Sequence, residues 1–275
     1  MTAPTGGGLE FREVTDMAIR LGCFTRPWNG YTFEDFLAGT AAAGYEVAGT
    51  MALNKELVIS ADLTDDEVSK VRGKVEGAGL VPSTVLGNFP LDGERATSVE
   101  RLQLLIDRIA AFGARFLLHC GTKPGPTADR FYDVYGECCG YAQDRGVMLT
   151  LKPHGGITCT GADLLYALDV IDHDNFGIYY DPGNVMHYKG LDPIKELRPI
   201  ADRVVAMCIK DSLGELEGVN ILPGTGVVDF EGVFAVLRSA GFDGDCIVEC
   251  LGGETLEEVN DAARKTHELL VSLTS

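Results

Sequence analysis

Histidine, tryptophan and positive charge are all scarce in this chain. Its 275 residues include five histidines and one tryptophan, and 23 Lys and Arg stand against 41 Asp and Glu, a formal net charge of −18. A field of that sign repels phosphate backbones and excludes nucleic acid as the main partner, although a locally positive pocket still accommodates a small anion. No apolar run approaches the ~20 residues needed to span a bilayer, so no membrane partner is expected. The eight cysteines show no zinc-type CxxC pairing. They fall mostly in apolar segments predicted as strands (Cys120, Cys208, Cys246, Cys250) or on a helix (Cys138, Cys139), and read as reduced, buried thiols of a cytoplasmic protein. The first 16 residues hold Gly6-Gly-Gly8 and acids without the apolar core of a secretion signal, and are expected to form a flexible leader.

From Met17 to the end, a short apolar segment is followed by a helical pattern eight times over, with no linker or composition break. The expected strands are Met17–Phe24, Tyr45–Thr50, Leu80–Leu86, Arg115–Cys120, Val147–Lys152, Phe176–Asp181, Arg203–Lys210 and Asp245–Glu249. Between them lie segments with apolar residues at helical spacing, for example Val99, Leu102, Leu105, Ile106 and Ile109. Several open on capping residues: Thr32, Thr64 with Glu67, Thr160, and Asp192 before Pro193. Eight alternating units predict a parallel sheet closed into a (β/α)8 TIM barrel, one domain over residues 17–275. An open doubly wound sheet would carry a GxGxxG turn after its first strand, and Gly22-Cys-Phe-Thr-Arg-Pro27 is not one.

In such a barrel the chemistry sits at the C-terminal strand ends. Polar residues gather there: His119 after strand four, Lys152-Pro-His154 after strand five, Asp181-Pro-Gly-Asn184 after strand six with His187 in the following loop, Cys208 and Lys210 on strand seven, and Glu249 on strand eight. Lys152 and His154 are two apart, so on extended backbone they point the same way. Trp28, in the loop after strand one, has a flat apolar face on which a ring of a small ligand can stack. Trp28, His119 and Asn184 are therefore candidates for substrate contact.

The runs Tyr180-Asp-Pro-Gly-Asn184, Val204-Val-Ala-Met-Cys-Ile-Lys-Asp211 and Leu222-Pro-Gly-Thr-Gly-Val-Val-Asp-Phe230, followed by Gly241-Phe-Asp-Gly244 and Ile247-Val-Glu249, resemble the xylose isomerase-like barrels. That superfamily includes sugar-phosphate isomerases, ketose 3-epimerases, inosose dehydratases and AP endonucleases. The resemblance implies a divalent metal held by Glu, Asp, His and Glu on strands five to eight. Asp181 and Glu249 match that set, while Lys152 stands at the usual Glu and Cys208 at the usual His. Two arrangements follow. Either Lys152 takes the metal's place, pairing with Asp181 and Glu249, or a displaced ion (Mn, Mg, Co or Zn) sits on His154, Asp181 and Glu249 with His187 or Cys208.

The resemblance implies an isomerase or epimerase that moves a proton on the carbon next to a carbonyl of a small sugar or keto-polyol. Lys152 and Lys210, or a metal, would be the electrophile, and Glu249, His154 or His187 the base. Two-faced epimerisation suffers from the lysine at strand five, so a β-eliminating lyase of the inosose dehydratase kind is the alternative. A barrel that binds sugar without turnover is a third reading. Assembly into a homo-oligomer is left open.

Overall fold

Near-continuous burial on both faces, the mark of a parallel strand, recurs in all eight apolar segments, and the strands close on themselves. In the computed structural model, which describes residues 19–275, the barrel strands are β1 (Leu21–Phe24), β2 (Val47–Thr50), β3 (Val81–Leu86), β4 (Phe116–His119), β5 (Met148–Leu151), β6 (Phe176–Tyr180), β7 (Val204–Ile209) and β8 (Asp245–Val248). Each pairs in parallel with its sequence neighbours, and β8 returns to β1 to complete a closed eight-stranded barrel. The expected leader, residues 1–16, lies outside the described residues, as do Met17 and Ala18 of the expected first strand.

Helices pack around the barrel: α1 (Phe33–Ala42), α2 (Asp65–Gly77), α3 (Arg95–Phe112), α4 (Pro126–Gln143), α5 (Gly161–Ile171), α6 (Pro182–Lys189), α7 (Pro193–Leu197), α8 (Phe230–Ser239) and α9 (Leu256–Thr274). Four of them open on reciprocal capping boxes, Thr32 with Asp35, Thr64 with Glu67, Thr160 with Asp163 and Thr255 with Glu258. Each such cap is worth about 1 kcal/mol. The apolar faces of these helices meet the outward residues of the strands. The inward residues Phe24, Val47, Phe116, Leu118, Tyr179, Ala206, Cys208 and Ile247 form a separate cluster inside the barrel. Below it, Asp245 is held by a two-pronged contact from Arg20, with both bonds at 2.8 Å. Above it the same inward series turns polar, because Lys152, Asp181, Lys210 and Glu249 each follow an inward residue by two positions. The site is the top rung of the barrel interior.

One expectation is corrected here. The segment after β6, read as a loop carrying His187, is helix α6. The Asp181 side chain accepts the Asn184 amide at 2.8 Å, Pro182 occupies the first helical position, and Gly190 ends the helix in the left-handed region. Gly183 has a separate reason. A Cβ there would lie 2.4 Å from the carbonyl oxygen of Lys210, so α6 rests directly on the backbone at the end of β7. A second unanticipated element is a two-stranded ribbon, Ala52–Leu53 with Glu56–Leu57, just past β2. All eight cysteines are unpaired and seven are buried, Cys120 being the half-buried one. No helix among the described residues is long and apolar enough to cross a membrane.

Gly183→Ala forces that backbone contact apart and is expected to destabilise the fold by about 1–3 kcal/mol. Chemical denaturation read by circular dichroism checks this, and an unchanged midpoint would show that α6 lifts off β7 freely.

Candidate active site

The C-terminal strand ends surround a cavity of about 430 Å³, a volume suited to a small ligand. Its floor is an ion-pair network. Lys152, 1% exposed, extends inward from the end of β5. Its Nζ donates to Glu249 Oε2, lies 3.1 Å from Asp181 Oδ2 and 3.7 Å from Cys208 Sγ. Glu249 accepts on both oxygens: Oε2 from Lys152 and from the Cys208 thiol at 2.9 Å, Oε1 from Lys210 at 3.1 Å and Arg26 at 2.8 Å. Arg26 also donates to Cys250 Sγ. The floor thus sets two ammonium groups and a guanidinium against the two carboxylates, a surplus of one positive charge inside a chain of net −18.

These neighbours fix the charge states. Desolvation opposes the ammonium of Lys152, but the Glu249 and Asp181 carboxylates beside it outweigh that cost and hold its pKa well above the ordinary lysine value. Lys210 is likewise raised against its own desolvation, chiefly by Glu249. A lysine held protonated is a hydrogen-bond donor and a positive field, not a nucleophile. Burial pushes Glu249 upward, yet Lys152, Lys210 and Arg26 drive it well below the usual carboxylate range. Burial dominates at Asp181 and raises it, with Lys152 and Lys210 pulling the other way. Cys208 is raised well above the usual thiol value by burial and by Glu249, and is a thiol at neutral pH.

The walls come from three loops. His154 stands on a tight turn: Thr158 accepts the His154 amide on its backbone oxygen at 3.2 Å and on Oγ1 at 3.1 Å. Gly156 has positive φ, and a Cβ on it would fall 2.2 Å from the Thr122 carbonyl. His154 Nε2 is paired with the Tyr188 hydroxyl at 2.8 Å, and both side chains line the cavity. Burial, then the charges of Lys152 and Lys210, lower His154 to about 4, so the imidazole is neutral at pH 7. His187, on α6, also lines the cavity, its Nδ1 lying 3.0 Å from the Glu217 carbonyl. The loop after β7 is tied down by Asp211, whose carboxylate accepts the amides of Ser212, Gly224, Gly226 and Val228. Gly226 leaves no space for a side chain there, since a Cβ would meet Asp211 Oδ1 at 2.3 Å. The Lys-Asp and Pro-Gly-Thr-Gly runs therefore belong to one hydrogen-bonded unit, which sets Val219 into the cavity wall.

Lys152, Asp181, Cys208, Lys210 and Glu249 converge on the floor, with His154 and His187 on the wall. The three expected substrate contacts are placed elsewhere. Trp28 is 0% exposed: the turn Arg26–Trp28 carries it away from the cavity, where Nε1 donates to Asn260 at 3.0 Å and the ring meets Phe36 edge-on. Its neighbours Arg26 and Asn29 reach the cavity instead. His119 faces outward, because Cys120 and not His119 continues the inward series of Phe116 and Leu118. Its Nδ1 accepts the Gly121 amide at 2.9 Å, its ring packs on Phe131 and Phe89, and burial lowers its pKa to about 4. Asn184 is a staple between strand ends, donating from Nδ2 to the Pro153 carbonyl at 2.8 Å, while its Oδ1 is buried without a partner. Arg26 and Tyr188 escaped the sequence reading. Arg26 lies two residues beyond inward-facing Phe24, the one signal that could have found it. Tyr188 has none in a segment whose sequence reads as a loop.

Asp181, Cys208 and Glu249 place one ligand atom each within 4.8 Å of one another, a spacing that one metal ion can bridge. With Lys152 present the set does not fit such an ion. The ammonium contacts all three groups, and the four acceptor positions of the Glu249 carboxylate are filled by Lys152, Cys208, Arg26 and Lys210.

His119 and His154, ordinarily near 6.5, titrate at about 4 in the fold. Between these values the unfolded chain binds more protons, so stability is complete above about pH 6.5 and falls as pH drops towards 4. The fully buried His119 is expected to account for roughly 3 kcal/mol of that loss. Urea denaturation from pH 7 to 4.5, with His119→Gln flattening the slope, checks this. A His119 NMR resonance titrating near 6.5 would contradict it.

The sequence profile of the xylose isomerase-like TIM barrels matches residues 37–273. Among curated proteins the chain is 22% identical over 255 residues to an inosose dehydratase of Glaesserella parasuis, covering 79% of this chain and 82% of that protein. It is 28% identical over 228 residues to L-ribulose-5-phosphate 3-epimerase UlaE of Escherichia coli K12, covering 73% and 78%. A solved xylose isomerase domain protein from Planctomyces limnophilus superposes with a TM-score of 0.74 at 20% identity, over 93% of this chain and 97% of that one. With a closed parallel barrel, a polar top rung and a profile match over most of its length, the chain belongs to the xylose isomerase-like TIM-barrel family.

Proposed function

We propose that this cavity moves a proton on the carbon next to a carbonyl of a small sugar or keto-polyol, as an isomerase or epimerase. One observation carries the reading: a buried cationic floor faces a neutral imidazole–phenol pair across a sugar-sized cavity. Removing such a proton leaves an enolate, whose oxygen needs fixed positive charge in place before the charge develops. Lys210, on the cavity floor and hydrogen-bonded to Glu249, supplies the donor, with Lys152 and Arg26 adding field behind it. Glu249 is a poor base, because its acceptor positions are taken and its pKa is depressed. His154 has a ring nitrogen on the cavity side that works with Tyr188. Its low pKa comes partly from Lys152 and Lys210, so an enolate forming beside those lysines cancels their field and raises its basicity as the proton moves.

Similarity to a ribulose-phosphate epimerase and to an inosose dehydratase supports this chemistry, since both names describe changes beside a carbonyl. The pair also favours a second reading, a dehydratase. One base and one adjacent hydroxyl suffice for β-elimination, His154 taking the proton and Tyr188 donating to the departing hydroxyl. Epimerisation with a base on each face of the carbon lacks its second carboxylate, Lys152 standing on that side.

Ketopentoses, ketohexoses, their phosphates and inososes incubated in D₂O and followed by NMR are expected to exchange, isomerise or eliminate at the carbon beside the carbonyl. Lys210→Met is expected to lower kcat/KM by on the order of 10²–10³, and His154→Gln by on the order of 10²–10⁴. Sugar binding by calorimetry with no exchange on the whole panel would contradict catalysis and leave a binding barrel.

A further inference from the structure

We infer that the Lys152 ammonium is the resident cation of this barrel, built into the chain where a divalent metal would otherwise sit, and that a single substitution at this position converts the floor into a metal site. The geometry is that of a cation site already filled. Nζ faces Asp181 Oδ2 at 3.1 Å, Glu249 Oε2 in contact and Cys208 Sγ at 3.7 Å, three groups from three successive strand ends. The ligand atoms of those groups are mutually within 4.8 Å. Among the described residues no other set of three or more His, Cys, Asp and Glu side chains converges in this way.

Charge balance agrees. A carboxylate together with a divalent cation brings one net positive charge to Asp181 and Glu249. One lysine brings the same charge in a single side chain. The floor is electrostatically equivalent in the two cases, so neutrality does not require a metal while Lys152 is present. The converse also holds. Asp181 Oδ2 has no hydrogen-bond partner beyond this ionic contact, and Asn184 Oδ1, three residues on, is likewise buried and unpartnered. Removing the ammonium would leave Asp181 Oδ2 and Glu249 Oε2 buried without their shared donor, since Lys210 and Arg26 hold only the other oxygen of Glu249. A glutamate at 152 would add a further carboxylate to that hole and create a strong demand for a divalent ion, with Cys208 biasing the site towards Zn²⁺ or Co²⁺.

The test reads metal and not turnover, so it succeeds or fails independently of the sugar chemistry. Wild-type protein and Lys152→Glu are stripped with EDTA, dialysed against Mn²⁺, Co²⁺ or Zn²⁺, and assayed by elemental analysis, cobalt absorbance and thermal melting. Wild type is expected to retain no stoichiometric metal, to show no thiolate-to-cobalt band and to melt at the same temperature with or without metal. Lys152→Glu is expected to bind one equivalent under conditions in which wild type binds none. Its Tm should rise by several degrees with metal, and its cobalt band should be lost in the Lys152→Glu/Cys208→Ser double variant. A folded Lys152→Glu protein that binds no metal overturns the inference. So does a wild-type protein that binds one equivalent with a band dependent on Cys208. Should Lys152→Glu fold only when refolded with metal, that dependence supports the inference. Should it not fold at all, Lys152→Gln, whose carbonyl oxygen is a neutral donor, is held to the same criterion.

Discussion

A lysine ammonium held between two carboxylates, with almost no contact with water, is the interaction on which the rest of this structure depends. Taking three charges out of water costs several kcal/mol per ion, and only close, hydrogen-bonded geometry offsets it. The chain supplies that geometry redundantly. Lys210 and Arg26 hold the second oxygen of Glu249, and the α6 amide of Asn184 holds the first oxygen of Asp181. Each group is fixed by a neighbour on another strand, so the network sets the relative positions of the ends of β5 to β8. It also sets the electrical character of the cavity, because a floor with surplus positive charge keeps Glu249 ionised and His154 neutral at the same time.

The supporting backbone is arranged around the same network. Gly183 lets α6 lie on the carbonyl of Lys210, which brings Tyr188 within reach of His154. Asp211, the residue after Lys210, gathers four amides and closes the loop that walls the cavity. A single short stretch thus has two jobs on opposite faces of a strand. Lys210 turns inward to the chemistry and Asp211 turns outward to the loop, as the two-residue period of extended backbone requires.

Much of this was legible in the sequence, because it follows from periodicity. Eight apolar segments separated by helical patterns admit few architectures, and the polar residues at the ends of strands five to eight converge as alternation demands. At His119 the same rule decides: strand parity assigns the inward position to Cys120, and the histidine packs outward against α4. Trp28 failed for a different reason. Its direction depends on a turn of three residues, and tight turns leave little trace in composition. Helix α6 was hidden because Asp-Pro-Gly-Asn begins a turn and a short helix equally well. What decides between them is the packing of Gly183 on β7, a contact between residues 27 positions apart in sequence. Tyr188 could not be placed without that helix.

The protonation state of Lys152 tests the central claim most directly. Heteronuclear NMR of protein labelled with ¹⁵N at the lysine side chains reports it without reference to any substrate. A buried, ion-paired Lys152 should give a slowly exchanging ammonium resonance that survives beyond the pH at which exposed lysines deprotonate. A Lys152 nitrogen that titrates to the neutral amine near or below pH 8, or exchanges as fast as surface lysines, would contradict the account.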